Sequence, residues 1–297
     1  MIEESIITIS HGAYTAEIST VGAALAALKF DDKALIEPRL HARYFSGEIL
    51  APWPNRIADG KYSHNGKDFQ LNVNEEARNN ALHGLVFDKH WKVSSKSENT
   101  IALQIEIDDL SKYPGILELQ MTYKLDHQGL LSTLTATNCS EIELPYGAST
   151  HPYLTVPGVK SVNDYVLQIG ASKVYLTDNE RLLPTELVDV KDANLDFRNP
   201  NQIGARFIDH AFRQDPNFER LVSITSDSGE GVSISFSNAA GWIQIHTADR
   251  NGAADGRKSL AIEPMTCPPD AFNSEIDLIS LQPKQSHTLS WRISFVK

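Results

Sequence analysis

The chain has 297 residues, a formal net charge of −11 at pH 7 and a pI near 5.4. That length suits one large β or α/β domain or two ordinary ones, with core enough to need no covalent staples, and the acidic balance argues against a nucleic-acid partner, which is bound through clustered Lys and Arg. The two cysteines, Cys139 and Cys267, form no Cys-x-x-Cys pair, which argues against a zinc ribbon or a disulfide scaffold. No run approaches the roughly 18 apolar residues of a membrane span. The opening Met-Ile-Glu-Glu-Ser is acidic where a signal peptide would be basic and then apolar. The expectation is a soluble, cytoplasmic protein with no membrane association.

In chain order, period-two alternation dominates. Strands are expected at Ile6–Ile9, Tyr14–Thr20, Thr100–Asp108, Leu117–Leu125, Leu130–Thr137, Tyr165–Ile169, Leu221–Ser226, Val232–Phe236, Gly241–Thr247 and Leu289–Phe295. In the fourth of these, Leu117, Leu119, Met121, Tyr123 and Leu125 face one way and Glu118, Gln120, Thr122 and Lys124 the other. This is the pattern of half-buried antiparallel strands. Asn65-Gly66 is a hairpin signal. Helical periodicity is confined to short pieces near His41–Phe45 and Asp109–Tyr113, and no βαβ rhythm appears. Leu183–Arg206, with Pro184, Pro200 and several Asn and Asp, reads as a long loop running over the sheets. The fold expected is all-β: one large antiparallel β-sandwich domain over residues 1–297, with few short helices.

Four places hold residues suited to chemistry. In Leu50–Gly84, Pro52 and Pro54 fix φ and push their predecessors towards extended geometry, so Asn55 and Arg56 leave a stiffened backbone. Arginine offers five donors in a rigid fork, Trp53 a flat face on which a sugar ring can lie, and His83 closes the stretch. A surface loop with a salt-bridged Arg fits the same residues. His151 follows small residues and precedes Pro152, at the end of a strand; a hydrogen-bonded structural His fits equally. Asp209 emerges from the long loop, where a binding or merely solvated carboxylate would sit. Glu263 ends the apolar run Leu260-Ala261-Ile262 before Pro264, and a charge there costs free energy unless paired or solvated. Gly60 to Gly66-Lys67 fails as a phosphate loop on spacing and on the missing Ser or Thr, and the histidines lack metal-ligand spacing.

Taken together, Asn55-Arg56-Ile57-Ala58-Asp59-Gly60-Lys61-Tyr62, Asn80-Ala81-Leu82-His83-Gly84, His151 before Tyr153, Leu183-Pro184-Thr185 with Asp196-Phe197-Arg198, Asp209-His210-x-Phe212, and Ile262-Glu263-Pro264 with Pro269-Asp270-Ala271-Phe272-Asn273 resemble, in content and order, the aldose 1-epimerase (galactose mutarotase) family. The resemblance runs from about Ile6 to Phe295. It implies a mutarotase sandwich with an open cleft on one sheet, and α/β anomer interconversion of an aldohexose with no metal or cofactor. By the same resemblance Glu263 is the general base on the anomeric hydroxyl and His151 the general acid on the ring oxygen. Arg56, His83 and Asp209 hold sugar oxygens, with Asn55 and Trp53 beside them. An unperturbed Glu, with a pKa of about 4.3, is ionised at neutral pH and ready to accept a proton. The expected partner is a small sugar, and the chain is expected to be a monomer or homodimer. The sequence departs from the family at Pro152-Tyr153-Leu154, at His246-Thr247-Ala248-Asp249 and at Leu85, which leaves the sugar open. A hexose-6-phosphate 1-epimerase would need cations near C6, for which Arg78 and Lys89 are candidates. A glycoside hydrolase would need flanking carboxylates, and a non-catalytic carbohydrate-binding protein would have no use for an acid–base pair.

Overall fold

The computed structural model describes residues 4–39, 45–249 and 256–297. Among these, the alternating segments form strands close to the expected bounds. Leu117–Asp126 buries Leu117, Leu119, Met121, Tyr123 and Leu125 and turns the intervening residues outward. Gly129–Asn138, its antiparallel partner, alternates in the same way.

These strands lie in a nine-stranded sheet ordered Lys92–Lys96, Thr100–Ile107, Leu117–Asp126, Gly129–Asn138, Ser286–Val296, Gly231–Phe236, Leu221–Thr225, Val166–Ile169 and Asn201–Gln202. A six-stranded sheet runs Tyr153–Leu154, Leu260–Met265, Trp242–His246, Asp209–Gln214, Ala171–Thr177 and Pro184–Asp189. Ile6–His11, Tyr14–Ser19, Leu25–Phe30 and Lys33–Ala34 make a four-stranded sheet. Neighbouring strands pair antiparallel throughout these ladders, as in the Leu260–Met265 pairings on both sides. Leu119, Met121, Leu134 and Ile293 of the large sheet and Phe212, Ile243, Ile245 and Ile262 of the six-stranded sheet belong to one contiguous apolar core. The result is a large antiparallel β-sandwich.

The Asn65-Gly66 signal is a hairpin joining Lys61–His64 to Lys67–Gln70, and both turn residues have positive φ, 50° and 75°. That is the primed turn whose twist matches the strands it joins. Leu183–Arg206 is not a continuous loop. Pro184–Asp189 is the edge strand of the six-stranded sheet, and Asn201–Gln202 is an edge strand of the large one. Its Pro and Asn content hid this, because edge strands tolerate both. Asp109–Tyr113 is a turn held by Asp109, whose carbonyl accepts from the Lys112 and Tyr113 N–H groups. The helical piece expected near His41–Phe45 lies outside the described residues except for Phe45. The α-helix Ala271–Ser274 was not foreseen. Among the described residues no helix is long and apolar enough to cross a membrane.

Candidate active site

The register of the six-stranded sheet sets out the floor of the candidate site. Gln244 stands opposite Glu263 on one side and Ala211 on the other, while His246 stands opposite Ala261 and Asp209. Because residues two apart share a face, Glu263, Gln244, His246 and Asp209 project to the same side. The intervening Ile262, Ile245 and Ile243 turn into the core. Ala211 and Ala261 are the small residues of that face, and they keep the floor low between the polar groups. Glu263 is therefore an interior-strand residue, 1% exposed, and not the strand-terminal carboxylate its sequence context suggested. Gln244 Nε2 donates to Asp209 Oδ1 at 2.7 Å. Gln244 Oε1 and Glu263 Oε2 are buried acceptors with no protein hydrogen-bond partner among the described residues.

Asn55, Arg56 and His83 come from paired loops. Arg56–Ala58 runs antiparallel to Asn80–Leu82, and Ala51 bridges Gly84. Asn55 and His83 both adopt the left-handed region, φ 55° and 66°. They lock each other there: the His83 N–H donates to the Asn55 carbonyl at 2.9 Å, and the Asn55 N–H donates to His83 Nδ1 at 3.2 Å. Since a backbone N–H can only donate, Nδ1 is the unprotonated nitrogen and the ring proton sits on Nε2. Burial, reinforced by the positive charge of His151, Arg56 and His246, pushes the His83 imidazole well below its ordinary pKa. His83 is thus a neutral donor. Asn55 Oδ1 accepts from the Arg56 N–H at 3.0 Å, so that atom shapes the turn.

Ser149–Thr150 pairs with Ile49–Leu50 and delivers His151, whose N–H donates to the Glu48 carbonyl at 3.1 Å. His151 Nε2 lies 3.3 Å from Glu263 Oε1. The His151 and His83 rings stand nearly perpendicular, centroids 5.4 Å apart, with Phe45 4.5 Å from His83 and Tyr153 4.9 Å from His151. Arg56 Nη2 lies 3.7 Å from Asp209 Oδ2. His246 Nδ1 lies 3.7 Å from Asp209 Oδ1.

The two carboxylates of the floor titrate in opposite directions. Burial pushes Glu263 well above the ordinary carboxylate range, the Asp209 charge adds to the rise, and Arg56 opposes it. Burial also works against ionised Asp209, but His246, Arg56 and the Gln244 amide outweigh it and hold that carboxyl low. The expectation of an ordinary Glu263 is corrected: a carboxylate inside a sheet has lost the water that would favour its charge.

Five of the residues singled out from the sequence, Arg56, His83, His151, Asp209 and Glu263, come together in one buried cluster, with Asn55 at its margin. Trp53 does not join them. It is 2% exposed and packs edge-on against Phe272, ring centroids 5.7 Å apart, so it belongs to the core and offers no face to a sugar. Its place after Pro52 looked loop-like, but the loop folds inward. Lys89 pairs with Asp88 at 3.2 Å and, with Trp53, lines a separate cavity of about 500 Å³. Arg78 is bound to Glu75 at 3.0 Å. Sequence reasoning missed Gln244 and Phe45, which lie among these side chains, and Glu75, which bonds the Arg56 guanidinium at 2.9 and 3.0 Å. Gln244 had a visible signal, its place on the same strand face as His246; the others had none.

The profile of the aldose 1-epimerase family matches residues 5–294. The chain belongs to the aldose 1-epimerase family. It is 35% identical to the uncharacterized protein YihR of Escherichia coli K12 over 97% of this chain and 92% of that protein. To human galactose mutarotase it is 32% identical, over 62% of this chain and 55% of that one. Among solved structures, the GalM/aldose epimerase homologue from C. elegans superposes with a TM-score of 0.86 at 20% identity, covering 99% of this chain and 100% of that one. A galactose mutarotase-like protein from Clostridium acetobutylicum gives 0.83 at 21% identity, covering 99% and 97%. These two likenesses concern the fold.

Gly84 tests how the loops hold the site. Its φ is 82°, and a Cβ there would stand 2.0 Å from the Ala51 carbonyl oxygen. Gly84→Ala must therefore separate the two loops or distort His83. The expected outcome is a loss of about 1–3 kcal/mol in denaturant unfolding.

Proposed function

We propose that this protein interconverts the α and β anomers of a free aldohexose by general acid–base catalysis. The observation that carries the reading is the pair His151 Nε2–Glu263 Oε1, 3.3 Å apart, with Glu263 buried in the cleft floor. Glu263 takes the proton from the anomeric O1–H. As the C1=O1 bond forms, the C1–O5 bond breaks, and O5 takes a proton from His151. Rotation about C1–C2 turns the other face of the aldehyde towards O5, and reclosure returns both protons by the reverse route. A carboxylate whose proton affinity is raised by burial is a stronger base than one in water, which favours the first step. Neutral His83 donates through Nε2, Arg56 binds a sugar oxygen, and Asp209, kept ionised, accepts from a ring hydroxyl. Gln244 adds a buried acceptor beside them. Activity on galactose is attributed to the human relative by its name, which makes galactose and glucose the first sugars to try. His246, beside Asp209 at a position where the sequence departs from the family pattern, makes a wider panel of aldoses worthwhile.

Optical rotation or anomer-resolved NMR of fresh α-glucose, α-galactose and further aldoses, with and without protein, is the direct test. Glu263→Gln and His151→Asn should each lower kcat/KM by about 10²–10⁴-fold with the fold intact. An unchanged rate in either variant overturns the assignment.

The pH dependence follows from the raised pKa of Glu263. Activity needs the ionised base, so the acidic limb of the rate profile should lie above the ordinary carboxylate range. Stability runs the other way. The folded chain holds this proton more tightly than the unfolded chain, so the stabilisation is full below the unfolded carboxyl pKa and is lost as pH rises through the folded one. Glu263→Gln escapes that loss. Its Tm relative to wild type should therefore rise with pH across that window, measured by calorimetry.

A further inference from the structure

Arg56 reaches the cleft with a guanidinium whose orientation has to be set by something other than its own flexible stem. Asp209 does not set it, since 3.7 Å from Nη2 to Oδ2 is beyond hydrogen-bond range. Glu75 makes two bonds to the fork, accepting from Nε at 2.9 Å on Oε2 and from Nη2 at 3.0 Å on Oε1. This bidentate grip takes the Nε–Nη2 edge. Among the described residues Nη1 has a long contact to Asn55 Oδ1, 3.4 Å, and Nη2 gives one of its two hydrogens to Glu75, so the Nη1–Nη2 end of the fork has hydrogens left to offer.

Glu75 is itself held from behind. Its carboxylate also accepts from Asn80 Nδ2 at 2.8 Å and Arg78 Nη1 at 3.0 Å. Asn80, fully buried, donates to the Arg181 carbonyl at 3.0 Å and accepts from Arg181 Nη2 at 3.2 Å. Arg181 further donates to the carbonyls of Arg78 and Asn79 and to Asp59 Oδ1, at 3.0, 2.9 and 2.9 Å. Arg181 sits between Ala171–Thr177 and Pro184–Asp189, at the edge of the sheet that carries Asp209, Gln244 and Glu263. A polar chain thus runs from the edge of the catalytic sheet through Asn80 and Glu75 to Arg56.

We propose that Glu75 is the positioning residue of this site: backed by Asn80 and Arg181, it turns the Arg56 guanidinium so that its Nη1–Nη2 end serves the sugar. The proposal rests on the epimerase reading of the cleft. The side chains of Glu75 and Arg56 are 11% and 9% exposed, so the pair is shielded from water, unlike the surface pairs that contribute little. Removing one partner leaves the other charge buried and free to turn elsewhere. Arg56 would then swing towards Asp209 and Glu263.

The test uses the full chain and Glu75→Gln, which keeps volume and loses charge and the second acceptor. In wild type the Arg56 Nε–H, assigned by its loss in Arg56→Lys, should give a slowly exchanging NMR resonance. In Glu75→Gln that protection should vanish. KM for the sugar should rise about tenfold or more while kcat changes less, and the acidic limb of the rate profile should move to lower pH, because an Arg56 released from Glu75 brings its positive charge closer to Glu263. A role confined to holding the loop would lower Tm without moving the pH limb or the exchange, and that result overturns the proposal. Should Glu75→Gln fail to fold, Arg181→Gln takes its place, with a smaller rise in KM and weaker Nε–H protection expected; unchanged values of both overturn the proposal. A wild-type protein inactive on every aldose would count against the epimerase reading, while the Nε–H exchange would still judge the positioning.

Discussion

A carboxyl group placed in the middle of a buried strand is the constraint around which this molecule is arranged. Removing a carboxylate from water costs several kcal/mol unless its charge is neutralised or matched. Among the described residues Glu263 has no bidentate cation beside it; it has an imidazole at 3.3 Å and, further off, an arginine already shared with two other carboxylates. Its proton is therefore held tightly. Asp209, on the same sheet face, receives the amide of Gln244 and the fields of His246 and Arg56 and stays ionised. Two like groups are pushed apart in proton affinity by unlike surroundings.

Backbone geometry does for His83 what charge does for the carboxylates. Asn55 and His83 both hold positive φ, a region that costs a non-glycine residue free energy. Asn tolerates it well; His does so here because the two residues exchange hydrogen bonds and Gly84 lets the Ala51 backbone approach within touching distance. The return is a ring whose tautomer is fixed by a main-chain N–H and whose charge is suppressed by burial. Such a ring presents one donor across the whole physiological pH range, whereas His151 lies in contact with the buried Glu263 carboxyl.

Legibility in the sequence followed the range of the interactions involved. The strands Leu117–Asp126, Gly129–Asn138 and Ser286–Val296 could be read because apolar alternation is local and each strand buries one face. The hairpin at Asn65-Gly66 could be read because a turn residue with positive φ is a local demand. Pro184–Asp189 could not, because an edge strand needs only one partner and little apolar pattern. Trp53 misled because an aromatic between prolines looks the same whether its loop turns outward or packs on Phe272, more than two hundred residues away.

What the sequence by itself determined is the β class, the family resemblance and the chemical types gathered at Arg56, His83, His151, Asp209 and Glu263, since all are carried by residue identity and short spacing. The tertiary structure alone decided that Glu263 is buried in mid-strand and faces Gln244, that His83 is neutral with its proton on Nε2, and that Glu75 grips Arg56. Each of these depends on which distant strand or loop lies alongside, and therefore on how much water remains around a charge, a quantity no local pattern of residues carries.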